Sequence, residues 1–349
     1  MRKKLYFCFP ISGPNNGVKV ISNYIVDFLA KRSKYDLELV DIAQAKEHSN
    51  FGNFSLAKFI DTFRLFKRLL SVSKKDLVYL NLTPKGFAFY RDMIFLMICK
   101  FKRSNVTIHI HANGLEKKIN FLTGIILKGV KIIVINTDQL NKIQKKHQEV
   151  FLIKNALPDY YNNALEPKFN NKIRLLFFSN LSKEKGLFRL IDVARKIDES
   201  NISCELNICG GILNSDFKSI IDKLVFTYNF VKYHGSITDE KEKFLFFSES
   251  DFLLFLSDIN YEVSPLVYIE ALMSGLPIIS TEQIVSPDIV NSGNMFILRE
   301  DLGKIVSILS NYNKSFNELS QLKKKSRNYY LKEYSFENFV YEIENVLKK

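Results

Sequence analysis

The polarity pattern of the chain alternates between short apolar runs and longer stretches in which apolar residues recur every three or four positions. The first half holds the runs KLYFCFPI, LELVDI, DLVYLNL, VTIHIHA, KIIVINT and VFLIKN, and the second holds IRLLFFSNL, CELNICGG, NFVKYHG, DFLLFLS, LPIIST and MFILR. Nearly continuous apolar strands separated by amphipathic helices are typical of parallel sheets covered on both faces. The pattern predicts an α/β protein with two doubly wound domains.

The boundary between these domains is predicted in NALPDYYNNALEPKFNNK, a segment rich in Asn and Pro that lacks periodicity. We expect an N-terminal domain over residues 1–155, a linker over 156–172 and a C-terminal domain over 173–330. The final residues, 331–349, end in the amphipathic pattern SFENFVYEIENVLKK, which predicts a closing helix. A length of 349 residues agrees with two domains, because it exceeds the size at which one hydrophobic core usually keeps growing.

Charge is unevenly divided along the chain. Residues 1–160 carry 27 Lys and Arg against 12 Asp and Glu, whereas residues 161–349 carry 23 against 25. A half this basic favours an anionic partner, such as nucleic acid, an anionic membrane surface or a phosphate-bearing substrate. The longest uncharged apolar run, MIFLMIC, is far shorter than the roughly 20 residues that a membrane-spanning helix needs.

The cysteines lie in apolar runs and lack the spacing of metal ligands, so we expect buried thiols and a reducing, cytoplasmic location. They are Cys8, Cys99, Cys204 and Cys209.

Chemistry is expected in the loops that run from strands into helices, because ligands of doubly wound sheets bind there and helix N-termini favour anions. The first loop, PISGPNNGVKV, contains Gly17, and the loop after CELNIC contains Gly210. Such residues permit close approach of a phosphate or a sugar, but they equally serve ordinary tight turns. Lys185, in SKEKGLF, precedes a helix whose dipole it opposes unless an anion lies nearby; the alternative is a solvated surface lysine.

The stretch YEVSPLVYIEALMSGLP places two glutamates around the start of one helix. Glu262 lies in the loop before the helix, and Glu270 lies roughly 7–9 Å along the axis from its first turn. The free N–H groups of that turn lie between them. This arrangement suits a ligand with hydroxyls at both ends and a diphosphate in the middle, such as a nucleotide sugar, although two glutamates at this spacing also occur by chance.

The same stretch, as EVSPLVYIEALMSGLPII, resembles the E-x7-E motif of retaining glycosyltransferases of family 4. FLIKNALPD, the SNLSKEKG loop and NICGG resemble further elements of that family, in the family's order, over about residues 150–290. The resemblance implies a GT-B fold: two Rossmann-like doubly wound domains facing across a cleft, with the closing helix returning to the first. The first domain would serve the acceptor and the second the donor.

The resemblance also implies roles for individual residues. Glu262 would contact the donor sugar near the reacting carbon, Lys185 the diphosphate, and Glu270 the ribose of a UDP or GDP sugar. No bound metal or other cofactor would take part, because lysine, backbone and helix dipole carry the leaving-group charge. Asn180 stands where the family has an arginine, and Ser264 also departs from the motif. The implied donor-binding residues are Gly17, Asn180, Lys185, Gly210, Ser264, Leu266, Val267 and Glu270.

His111, which follows the strand VTIHIH, lies where the family often has a histidine near the reacting sugar, so a catalytic role is implied. A histidine after a strand is otherwise a common structural hydrogen-bonding residue. His109 and His111 are expected on one face of the sheet, because their positions alternate along the strand.

The basic half favours contact with an anionic membrane surface. Its candidates are the amphipathic segment KFIDTFRLFKRLLSVSKK and the next helix with Arg91, Lys100, Lys102 and Arg103; solvated basic faces are the alternative. With the resemblance, this implies a polyprenyl-diphosphate-linked or other oligosaccharide acceptor in the synthesis of an O-antigen or capsule. The protein would be cytoplasmic and peripheral on the inner face of the plasma membrane.

Three other classes of function compete with this one. A nucleic-acid-binding protein is disfavoured, because the chain has no Trp, no RNA-binding aromatic motif and no zinc spacing. A non-catalytic nucleotide-sugar-binding protein is favoured only by the missing arginine at Asn180. A sugar epimerase on the same fold would isomerise the sugar instead of transferring it.

Overall fold

A computed structural model of the protein describes residues 3–13, 16–32, 34–43, 66, 68–160, 172–212, 214–258, 262–281 and 287–349. The chain divides into two compact units. The first unit comprises Met1–Pro158 with Phe336–Lys349, and the second comprises Asp159–Ser335. In the described part, each unit contains one parallel sheet of six strands with flanking helices.

The first unit has the strand order β2-β1-β3-β4-β5-β6. Its strands are β1 (Lys3–Phe9), β2 (Tyr35–Asp41), β3 (Leu77–Asn81), β4 (Asn105–Ile110), β5 (Lys131–Val134) and β6 (Val150–Leu152). Its helices before the second unit are α1 (Gly17–Arg32), α2 (Gly86–Phe101), α3 (Leu115–Lys118), α4 (Phe121–Leu127) and α5 (Thr137–Gln144). Leu5 to Phe9 are all buried, so helices or loops cover both faces of the central strand β1.

The second unit has the strand order β12-β11-β10-β7-β8-β9. Its strands are β7 (Ile173–Phe178), β8 (Cys204–Cys209), β9 (Val231–Gly235), β10 (Phe252–Phe255), β11 (Ile278–Ser280) and β12 (Met295–Ile297). Its helices are α6 (Leu187–Ser200), α7 (Ser215–Thr227), α8 (Glu240–Glu249), α9 (Leu266–Met273), α10 (Pro287–Asn291), α11 (Lys304–Lys314) and α12 (Phe316–Glu333). Every predicted apolar run contains one strand, and the predicted fold of two doubly wound domains is confirmed.

The last helix, α13 (Phe336–Lys348), belongs to the first unit. Glu344 on α13 accepts a hydrogen bond of 2.8 Å from Lys34, and Lys131 donates to the carbonyl of Val346 at 3.1 Å. The units divide after Pro158, while residues 161–171 of the predicted linker lie outside the described residues. The second unit extends to Ser335, five residues beyond the predicted domain end at 330.

The strand order of each sheet reverses once, and this locates a ligand site. In the second sheet the chain runs from β7 to β8 and β9 on one side, then returns to place β10 against the other edge of β7. Ligands of such sheets bind beyond the carboxyl ends of the two strands at the reversal. The loops that follow β7 and β10 therefore form the candidate site of the second unit, and those that follow β1 and β3 hold the equivalent position in the first.

The membrane segment predicted in residues 58–75 has residues 58–65 and 67 outside the described residues. Arg91, predicted to contribute surface charge, is buried, and its Nε donates to the carboxylate of Asp92 at 2.8 Å. That prediction for Arg91 was wrong, because the residue lies on the core side of α2. Lys100 and Arg103 are exposed, as expected for surface charge.

The cysteines are all buried and carry free thiols, as the sequence predicted: Cys8, Cys99, Cys204 and Cys209. Burial raises the pKa of the Cys99 thiol to about 11. Within the described residues, no helix is both long and apolar enough to cross a membrane.

Candidate active site

The loop from β7 to α6 is fastened to the end of β10. Gly186 has a φ of 88°, and a Cβ atom added there would lie 2.2 Å from the carbonyl oxygen of Leu256. Arg189 donates to that same oxygen at 2.9 Å, and the amide of Asp258 donates to the carbonyl of Glu184 at 2.9 Å. Only glycine fits this close approach, which holds the loop against β10.

Lys185, held in this loop, forms an ion pair with Glu262. Its Nζ atom donates to Glu262 Oε1, and the two side chains are 24% and 13% exposed. The predicted phosphate-binding lysine and the first glutamate of the E-x7-E stretch are therefore neighbours. A cation that is partly withdrawn from water beside a carboxylate can exchange its partner for an incoming anion.

Helix α9 begins at Leu266, four residues after Glu262. Pro265 is the N-cap residue and provides no side-chain hydrogen bond, so Leu266 and Val267 begin the helix without a capping side chain. Unpaired N–H groups and the helix dipole favour an anion at this position. Ser264 is half-buried in the turn before it.

Glu270, the second glutamate, forms an ion pair with Lys243, a residue that was not predicted as part of the site. Lys243 lies in the first turn of α8, and its Nζ atom donates to Glu270 Oε1. The same ammonium lies 5.7 Å from the centre of the Phe178 ring at the end of β7. The local pattern EKEKFLFF does not distinguish Lys243 from its neighbours, so only the packing of α8 reveals it.

Asn180 connects the loop after β7 with the glycine turn after β8. Its Oδ1 atom accepts a hydrogen bond of 3.3 Å from the amide of Gly211. Gly210 is closely packed, because an added Cβ would lie 1.8 Å from the carbonyl oxygen of Ser179. Tyr233 donates to the carbonyl of Gly210 at 2.9 Å, which fixes the turn from the other side. The structure thus brings Asn180 and Gly210 together beyond the carboxyl ends of β7 and β8.

Gly17 occupies the equivalent loop of the first unit, where it is the first residue of α1. The side chain of Asn16 accepts from the amide of Lys19 at 3.0 Å, and the Lys19 ammonium donates to the carbonyl of Gly13 at 2.6 Å. These bonds order the described part of the loop.

His111 follows β4 in the first unit. The centre of its ring lies 4.0 Å from the centre of the His109 ring. His109 Nδ1 forms a hydrogen bond of 2.7 Å with the hydroxyl of Tyr79. Burial lowers the pKa of His111 to about 4, so its imidazole is neutral near pH 7. Among the described residues, the buried Nε2 atom of His111 has no hydrogen-bond partner. His111 can therefore form a hydrogen bond to a ligand without carrying a charge.

The described residues contain no cluster of three or more His, Cys, Asp or Glu side chains that could hold a metal ion. The charges at the reversal of the second sheet are instead two lysines, each paired with a glutamate.

Comparison with known proteins places the second unit in a family. Residues 162–334 match the sequence model of the family described as Glycosyl transferases group 1. A protein of 41.2 kDa in the cps region of Klebsiella pneumoniae is 24% identical over 275 residues, which cover 76% of this chain and 68% of that protein.

Solved structures resemble the fold of the whole chain. A glycosyltransferase from Rickettsia africae has a TM-score of 0.74 at 13% identity, covering 99% of this chain and 98% of its own. Alr3699/HepE from Anabaena, solved in complex with UDP and glucose, has a TM-score of 0.69 at 14% identity. The match covers 99% of this chain and 100% of that protein's chain. The match to TarM, a longer protein, covers 84% of this chain but only 58% of TarM. Its TM-score is 0.64 and its sequence identity is 16%. The family match over the second unit and the fold of the whole chain together support a glycosyltransferase with the GT-B fold.

Proposed function

We propose that the protein transfers a sugar, with retention of anomeric configuration and without a bound metal ion, from a UDP or GDP sugar to a glycan acceptor. One observation carries this proposal: two lysine–glutamate pairs flank the uncapped N-terminus of α9, where the strand order reverses. The helix terminus suits a diphosphate, and the carboxylates suit hydroxyl groups on either side of it.

In the proposed reaction, the bond between the anomeric carbon and the diphosphate oxygen breaks, and its electron pair stays on the diphosphate. Lys185 moves from Glu262 to the diphosphate and, with the N–H groups of Leu266 and Val267, stabilises the developing charge. The acceptor hydroxyl oxygen bonds to the anomeric carbon, and its proton passes to the departing diphosphate. Glu262 holds hydroxyl groups of the sugar, and Glu270 holds those of the ribose.

The comparisons support a class of substrate and a biological role. Alr3699/HepE was solved with UDP and glucose, which favours a UDP sugar as the donor. The relative from the cps region of Klebsiella pneumoniae favours an acceptor in capsule synthesis. We propose a lipid-linked, polyprenyl-diphosphate type of acceptor, met by a cytoplasmic protein on the inner face of the plasma membrane.

A donor panel tests the proposed function. Binding of UDP, GDP and ADP sugars would be followed by ligand-observed NMR without divalent metal, for the wild type and Glu270→Ala. We expect one donor to be selected and to bind at least tenfold more weakly to the variant, because the hydroxyl acceptor is lost. Glu249→Ala, an exposed glutamate on α8, is the matched control and should bind like the wild type.

Failure to bind any donor would contradict the proposed function. Selective binding without transfer to any acceptor would favour a non-catalytic sugar-nucleotide-binding protein, and conversion of the bound donor to an isomeric sugar would favour an epimerase.

The membrane contact has support on the surface of the first unit. Helix α4 packs against α2, and both present exposed apolar side chains: Phe87, Tyr90, Ile94, Met97 and Phe101 on α2, and Phe121, Leu122 and Ile125 on α4. Exposed basic residues lie on or beside these helices: Lys85, Lys100, Arg103, Lys117 and Lys128. Asp92, the acidic residue of α2, is buried. An apolar face accompanied by lysines fits an anionic bilayer surface.

Replacing Phe101 and Phe121 by serine is expected to weaken binding to phosphatidylglycerol-containing vesicles by tenfold or more, because two apolar anchors are lost. Co-sedimentation with vesicles measures this. Phe226→Ser is the control, because Phe226 is 92% exposed but lies in the second unit. Unchanged vesicle binding, or a change in oligomeric state instead, would show that this face does not contact lipid.

A further inference from the structure

Lys243 holds the Glu270 carboxylate in a confined environment. The two side chains are 22% and 16% exposed, and the ammonium donates to Oε1 of the carboxylate. Removing a charged group from water is costly unless an opposite charge compensates it. The pair therefore restricts the Glu270 side chain to one orientation.

The surroundings of Lys243 make this arrangement rigid. Asp239 caps α8 by accepting from the amides of Lys241 and Glu242 at 3.0 and 2.8 Å, which orders the turn that carries Lys243. The Phe178 ring beneath the ammonium packs on Phe247, one turn further along α8, at 5.1 Å between ring centres. A cation near an aromatic face gains further stabilisation. Helix α8, its N-cap Asp239 and the Phe178 ring together fix the position of Lys243.

We infer that Lys243 is a positioning residue for recognition of the nucleoside: it fixes Glu270 so that the carboxylate accepts hydrogen bonds from the ribose hydroxyls. This inference rests on the proposed function, in which Glu270 binds the ribose. Lys243 bonds to Oε1, which leaves Oε2 and the second lone pair of Oε1 for hydroxyl donors. A preoriented acceptor loses less conformational freedom when the ligand binds.

The two lysine–glutamate pairs therefore have different roles. Lys185 lies beside the N-terminus of α9 and exchanges Glu262 for the diphosphate, so its pair opens when donor binds. Lys243 lies on α8 against Phe178 and remains with Glu270 in the bound state.

Ribose-modified nucleotides test this inference. Calorimetric titration would compare UDP and GDP with their 2′,3′-dideoxy analogues, for the wild type and Lys243→Met. We expect the variant to bind the nucleotide that the wild type prefers about tenfold more weakly, and to bind its dideoxy analogue as the wild type does. The control Lys241→Met removes an exposed lysine from the same helix turn and should change neither affinity.

Lys243→Arg keeps the cation and should retain most of the preference for the ribose hydroxyls. If Lys243→Met instead weakened binding only by disturbing the structure, keeping a cation at this position would not be expected to restore that preference. Equal weakening for both nucleotides would overturn the inference, because Lys243 would then contact the phosphates or the base. Tighter binding of the variant would also overturn it, since Lys243 would compete with the ribose.

Failure of the proposed function gives a different result. A wild-type protein that binds neither UDP nor GDP contradicts the proposed donor site itself. A wild type that prefers the ribonucleotide, together with a Lys243→Met variant that keeps the full preference, contradicts the role of Lys243 alone.

Discussion

Replacing Lys185 by methionine is expected to lower the kcat of sugar transfer by about 10²–10³-fold, because one charge that stabilises the departing diphosphate is lost. Methionine preserves the length of the side chain and much of its packing. The loss should fall mainly on kcat, since charge on the leaving group develops as the bond breaks. Steady-state kinetics with the selected donor measures kcat and KM separately.

Lys183→Met provides the matched control for this prediction. Lys183 is exposed and lies two residues before Lys185 in the same loop, so it shares the local charge without contacting Glu262. Its replacement should leave kcat within about twofold of the wild type. Similar losses in both variants would show that the loop acts only through its general positive charge, and an active Lys185→Met variant would remove Lys185 from the proposed mechanism.

Replacing Gly186 by alanine is expected to destabilise the second unit by about 2–5 kcal/mol. The left-handed backbone costs an L-residue about 1–2 kcal/mol, and overpacking costs typically about 1–3 kcal/mol. The steric overlap is severe, because the added Cβ would lie 2.2 Å from the oxygen and 2.6 Å from the carbon of the Leu256 carbonyl. Urea unfolding followed by circular dichroism measures the change in the free energy of unfolding.

Gly235→Ala separates the two causes of that loss. Gly235 lies in the same unit with a φ of 75°, but no atom lies within 4 Å of an added Cβ. We therefore expect only the backbone cost, about 1–2 kcal/mol. If the two variants lose equal stability, the contact between Gly186 and Leu256 does not hold the loop in place. A folded Gly186→Ala variant should also lose activity, because displacement of the loop moves Lys185 away from Glu262.

The position of the candidate site could be predicted largely from the sequence. Lys185, Gly210 and the E-x7-E stretch stand out because each follows an apolar strand and precedes or begins a helix. In a parallel sheet those loops meet at the carboxyl ends of the strands, so residues far apart in the chain become neighbours. The structure places Lys185 against Glu262 and Asn180 against Gly211 at those strand ends.

Arg91 and Lys243 show where local pattern fails. Arg91 lies in a basic region, but its position on α2 turns it toward the core and Asp92. Lys243 lies among exposed charges on α8, yet it reaches Glu270 on a different helix. A charged residue has no distinctive sequence signature when its partner comes from another element.

By itself, the sequence determined the twelve strands of the described residues, their burial and the loops that carry the chemistry, because apolar periodicity and helix-breaking residues act over a few neighbouring positions. Only the tertiary structure decided which charges meet. The strand order sets β10 beside β7, and this brings the loops and helices that carry Lys185, Lys243, Glu262 and Glu270 together at the carboxyl ends of the strands. It likewise decided that one face of α2 and α4 stays exposed, since exposure depends on what packs against a helix and not on its own composition.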